Sequence, residues 1–164
     1  MNVAHLHLII NHAPVVGLAF TAFLLLWAAV RHSAEVRRAA LVAIALVALT
    51  AIPVYLTGDK SEDVIANVPG LTKDLIDRHE DASKVALVAT EVLGVVAVGA
   101  LVVPGAAAAG VTLPGVLVLN LLALATMGWA ANLGGQIHHP EAQPGFTVPA
   151  QSHGGAAARP GDND

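Results

Sequence analysis

The chain contains no cysteine. Disulfides, thiolate-bound metals and iron–sulfur clusters are therefore excluded, and any metal would need nitrogen or oxygen ligands. Charge is also scarce: Asp, Glu, Lys and Arg make up 12% of the 164 residues, about half the share of a soluble domain. Aromatic residues supply only 4%. The net charge of −4 is small and no basic run is present, so nothing points to a nucleic-acid partner. Hydrolytic constellations are missing as well. There is no G-x-S-x-G elbow, no phosphate-binding glycine loop and no H-E-x-x-H; "RHEDAS", from Arg78, lacks the second histidine a zinc protease requires. These absences favour a protein that is not an enzyme.

What remains is apolar: 55% of positions are hydrophobic and the mean hydropathy is +0.68, the profile of an integral membrane protein. Four apolar runs, at about 6–30, 39–56, 85–103 and 111–131, each approach the roughly 20 residues that cross about 30 Å of hydrocarbon. Backbone groups in lipid must be satisfied within the segment, so all four read as helices. The expected fold is all-α, an up-down-up-down four-helix bundle occupying residues 1–139. Residues 140–164, rich in Pro, Gly, Ala and Gln, are expected to form a disordered tail.

The first run does not read as a cleaved leader, because its Arg cluster follows the apolar stretch and the stretch exceeds a signal peptide's h-region. Orientation follows from the basic residues. Arg31, Arg37 and Arg38 face one acid, Glu35, in the short first turn, whereas the 57–84 connection sets four basic residues against seven acids. The positive-inside rule makes that first turn cytoplasmic and leaves both termini on the outer, periplasmic side of a bacterial inner membrane.

This topology has a consequence for the histidines. The start of the first and third spans and the end of the second and fourth share one face, which collects His5, His7, His12, Asp59, Glu62, His79, Glu80, His138, His139 and Glu141. Of the eight histidines only His32 falls on the other side, with His153 in the tail. At about 100° per residue His5 and His12 share a helix face directed inward, and His7 points away as an interfacial group. Pro14 removes a backbone hydrogen bond and is expected to bend the helix beside His12.

The third helix is expected to start outside the membrane, with Lys73–Asp77, Asp74–Arg78 and Glu80–Lys84 as i,i+4 pairs on a solvated first stretch. Glu91 lies deeper, within the apolar run. An acid at membrane depth faces a bundle interior or a wet cavity, and Thr50 and Thr126 stand at a similar level as hydrogen-bond partners. At the end of the fourth span Gly134 or Gly135 is expected to supply a left-handed cap, turning His138, His139 and Glu141 over the mouth of the bundle. Tyr55 and Trp129 fit interfacial roles.

The stretches "HLHLIINHAPVVG" at the start of the first span, "YLTGDKSED" after the second, "RHEDAS" entering the third and "NLGGQIHHPE" closing the fourth carry a resemblance. Over roughly residues 3–141 the chain resembles a group of small four-helix bacterial membrane proteins of uncharacterised activity. More loosely it is similar to a domain-of-unknown-function family of membrane proteins with His-Pro and Gly-Glu elements in like places. The resemblance implies bacterial origin and topology, and no mechanism.

Two functions are expected from these features. In the first, the outer face holds a cofactor: a b-type haem clamped by imidazoles drawn from His12, His79, His138 and His139, or a Cu, Zn or Fe ion bound among His5, His12, His79, Glu80, Asp59 and His138. Such a protein would serve electron transfer or metal handling. In the second, the chain is a non-catalytic accessory subunit packed on a larger respiratory or photosynthetic membrane complex, with Gly94, Gly99 and many alanines allowing close helix contact. Ion transport through Glu91 is a weaker third reading.

Overall fold

The computed structural model describes residues 2–61, 71–103 and 112–147. Its first helix, α1 (Val3–Ile10), begins where the Asn2 side chain accepts the backbone N–H of His5 at 2.8 Å. The helix is interrupted at Asn11 and resumes as α2 (His12–Arg31). Pro14, with no N–H to offer the carbonyl of Ile10, accounts for the break at the expected place. Together α1 and α2 make one span, Val3–Arg31.

His32 ends α2 in the left-handed conformation (φ 50°), directing its N–H toward the carbonyls of Ala28 and Ala29. Ser33 then caps α3 (Ala34–Asp59) by accepting the N–H of Val36 at 3.2 Å. Thr72 and Thr112 cap α4 (Lys73–Val102) and α5 (Leu113–His138) in the same way, each accepting an N–H three residues on at 3.3 Å. As expected, α4 starts well before its apolar part, and the three i,i+4 ion pairs of its first turns are present.

Four helical spans are long and apolar enough to cross a membrane, and among the described residues there is no strand. The chain is a multi-pass, all-helical membrane protein. At most a third of each span is buried within the chain (28–33%). The rest presents exposed Phe20, Phe23, Trp27, Leu46, Val88, Val95 and Leu122, an outward surface suited to lipid rather than water.

Packing joins α2 to α3 and α5, α3 to α4, and α4 to α5. Lipid tails are as apolar as leucine, so close approach of small residues has to supply the attraction between spans. Ala40, Ala48, Ala82, Ala86, Ala97 and Ala123 are buried at these contacts, and a Cβ added to Gly94 would come within 2.5 Å of Ala48 Cβ. One polar link lies in this core. The hydroxyl of Thr21 stands 2.8 Å from Asn120 Oδ1 and 3.0 Å from the Leu18 carbonyl, which also accepts Asn120 Nδ2 at 3.1 Å. Both side chains are fully buried, tying α2 to α5.

Beyond α5, Pro140–Ala142 forms a turn of 3₁₀ helix, and the Gln143 side chain donates to the Gln136 carbonyl at 3.1 Å. The stretch expected to be a disordered tail therefore begins as ordered chain. Residues 148–164 of that stretch, His153 included, lie outside the described residues.

Candidate functional site

At the end of the bundle where the first span begins, side chains from all four spans enclose a cavity of about 270 Å³. It reaches from Ser61 and His139, at helix ends, to Leu87 and Met127. Leu87 lies eight residues along α4 from His79, which at 1.5 Å per residue is about 12 Å deeper. The deep wall is apolar, with Val15, Ala51, Leu87 and Met127; the mouth carries Asp59, Glu80, His138 and His139. A mostly apolar recess with a few convergent polar groups is the usual form of a ligand site.

Two imidazoles in this wall are held alike. His7 Nδ1 lies 3.0 Å from the Val54 carbonyl of α3 and 3.3 Å from Thr57 Oγ1, and His79 Nδ1 lies 3.0 Å from the Ala130 carbonyl of α5. A carbonyl only accepts, so each Nδ1 carries the hydrogen and each neutral ring keeps its lone pair on Nε2. Among the described residues nothing bonds either Nε2, and neither atom is sealed from solvent. Each ring also sits over a glycine. A Cβ on Gly58 would stand 3.0 Å from His7 Cε1, and one on Gly134 would stand 2.9 Å from His79 Cε1. His7, His79 and His138 all line this one cavity.

Of the residues singled out from sequence, His12, Asp59, His79, Glu80, His138 and His139 all border the cavity. His12 is exposed, and Glu80 is engaged by Lys84. His5 does not border it and is exposed. The expectation that His5 faces inward and His7 outward is thus reversed. His7 finds a backbone acceptor and a glycine notch on α3, and no such pair receives His5. Glu62 lies outside the described residues.

Glu91, one turn past Leu87, has Oε1 buried without a partner among the described residues. Thr50 and Thr126, expected to serve it, instead donate to carbonyls of their own helices, Val47 for the first and Leu122 and Ala123 for the second. A hydroxyl on a helix readily turns back to the preceding turn, and that local bond wins here. The expected left-handed cap at Gly134 or Gly135 is also corrected. Both glycines lie within α5, and the only positive-φ glycine among the described residues is Gly145.

At the mouth, His139 Nδ1 and Glu141 Oε1 are 3.1 Å apart, both exposed. A backbone N–H and then His139 hold the Glu141 carboxyl below its ordinary range. Among the described residues no three His, Asp or Glu side chains are grouped to hold a metal ion. His7, Tyr55, Gly58 and Gly134 were not singled out from sequence as members of the site, although the glycines stand in the quoted "YLTGD" and "NLGGQ" near the ends of their spans.

No known protein family, curated protein or solved structure matches the chain.

Proposed function

We propose that this protein is a small electron-transfer component of the bacterial inner membrane that holds a b-type haem in the histidine-lined cavity. The observation that carries this reading is the pair of imidazoles anchored through Nδ1 with Nε2 open in an apolar recess. A carbonyl on Nδ1 fixes the tautomer and ring orientation and raises the basicity of Nε2, the arrangement that prepares a histidine as a ligand. The grouping of side chains favours haem over a bare ion. An ion needs three or four protein donors, whereas a porphyrin brings four nitrogens and asks the chain for axial ligands only.

The polarity of the cavity agrees with this assignment, since a haem has an apolar macrocycle and a carboxylate edge. The macrocycle would lie along Val15, Ala51 and Leu87, and the carboxylate edge near His138 and His139. The enclosed volume, about 270 Å³, lies below the roughly 300 Å³ at which ligand pockets begin, so much of the group would lie in the open mouth. In the up-down-up-down topology read from the spans, with Arg31, Arg37 and Arg38 on the cytoplasmic side, the cavity faces the periplasm.

The test is to purify the protein gently from its own membranes, count iron, copper and zinc per chain, and record a reduced-minus-oxidised spectrum. Near-stoichiometric iron with a sharp reduced α-band is expected. Copper or zinc in place of iron would replace haem by an ion, and no bound element would overturn the cofactor assignment and turn attention to a partner complex.

A further inference from the structure

Resting on the haem assignment, we propose that His7 and His79 are its two axial ligands, placed by an internal two-fold repeat of helical hairpins, and that they leave the iron closed to external ligands. The repeat is visible in the hydrogen bonds. In the first hairpin (α1 to α3) a histidine in the opening turns donates to the carbonyl of Val54, 47 residues on. In the second (α4 and α5) His79 donates to the carbonyl of Ala130, 51 residues on. In each case a glycine, Gly58 or Gly134, follows that carbonyl by four residues, one helical turn, and gives the ring its space.

The two hairpins therefore build the same device: an outgoing helix supplies the imidazole, and the returning helix supplies the acceptor and the notch. Since α2 packs on α3 and α5, and α4 packs on the same two helices, the outgoing helices are diagonal neighbours across the bundle. His7 and His79 therefore line one cavity from diagonal spans. Two imidazoles on diagonal spans can supply one ligand to each face of a planar group set between them. His12, the ligand favoured by sequence, borders the cavity but is exposed, and among the described residues no carbonyl and glycine notch fix its ring. Two neutral imidazoles and four porphyrin nitrogens fill all six positions of the iron in a strong field. The centre would be low-spin, without a vacant site for oxygen, carbon monoxide or substrate.

The test has two parts. Electron paramagnetic resonance of the oxidised wild-type protein is expected to give a low-spin signal of the bis-imidazole type, and the reduced protein is expected to show no spectral change under carbon monoxide. His7→Gly and His79→Gly should each open a position that binds carbon monoxide, with free imidazole restoring the wild-type spectrum; His5→Gly, outside the cavity, should leave it unchanged. Haem that persists as six-coordinate in His7→Gly, or that is lost in His12→Gly alone, would overturn the pairing while leaving the haem assignment standing. A wild-type protein without haem would overturn both. The resonance measurement needs no variant, so a variant that fails to fold does not remove the test.

Discussion

Gly134 makes the room that His79 occupies: a Cβ at this position would stand 2.9 Å from Cε1 of the ring, whose Nδ1 donates to the Ala130 carbonyl at 3.0 Å. Gly134→Ala must move the ring and weaken that bond, at a cost of about 1 kcal/mol. Alanine regains about the same amount in helix propensity. The expected outcome is a nearly unchanged melting temperature with a clear loss or alteration of the haem proposed to bind there, read by the spectrum per chain. Gly58→Ala, with 3.0 Å to His7 Cε1, should act in the same direction.

Gly94 offers a contrasting case, because the atom a new Cβ would meet is itself a Cβ, that of Ala48 at 2.5 Å. No rotamer can relieve this contact, and the backbones of α3 and α4 must separate. Gly94→Ala is expected to lower stability by about 1–3 kcal/mol, the usual cost of overpacking. The pair Gly94→Ala with Ala48→Gly should recover most of the loss. Thermal unfolding in mild detergent measures both, and a double variant no better than the single one would mean that the two helices do not meet there.

Thr21 and Asn120 form the buried polar link between α2 and α5. Thr21→Val leaves the amide of Asn120 short of a partner and should cost about 1 kcal/mol, within the range measured for hydrogen bonds between membrane helices. Because an unmade buried bond costs more than an absent pair, Thr21→Val with Asn120→Leu should be less destabilising than the sum of the single changes. Chemical denaturation of all three variants gives the coupling energy.

Among the described residues nothing partners the buried Oε1 of Glu91, so that oxygen contributes no identified hydrogen bond to stability. Glu91→Gln should insert and fold as the wild type does, and Glu91→Leu should match or exceed its melting temperature. A large loss of stability in Glu91→Leu would show that the acid has a partner in the membrane-embedded protein.

Outside the spans, Glu141 titrates below the ordinary carboxylate range because of its backbone N–H first and His139 second. Its pKa is depressed on folding, so any stabilisation it provides is present above the unfolded value and fades as pH falls through the lower folded one. His139→Ala should raise the Glu141 midpoint only part of the way to normal, since the backbone N–H remains. Carboxyl NMR titration of the two proteins tests this order of causes.

Much of the architecture is legible in the amino-acid sequence. The four spans, the early start of α4, its three ion pairs and the break before Pro14 all follow from local composition or from one missing N–H, and local causes are written along the chain. The gathering of His12, Asp59, His79, Glu80, His138 and His139 at one end is legible too, because four consecutive antiparallel helices joined by short connections bring those segments to a common level.

The histidine facing the site and the purpose of the glycines are not legible there, and the physical reason is the same for both. His7 turns inward because α3 presents the Val54 carbonyl and the Gly58 notch beside it, partners about fifty residues away that no helical count within α1 contains. Gly134 and Gly135, read locally, look like the end of a helix; only with α4 packed against α5 does Gly134 become the space for His79. Sequence by itself determined how many helices are long and apolar enough to cross a membrane and which polar segments meet. Tertiary structure alone decided which ring nitrogens are tied and which are left open, since that depends on contacts between helices.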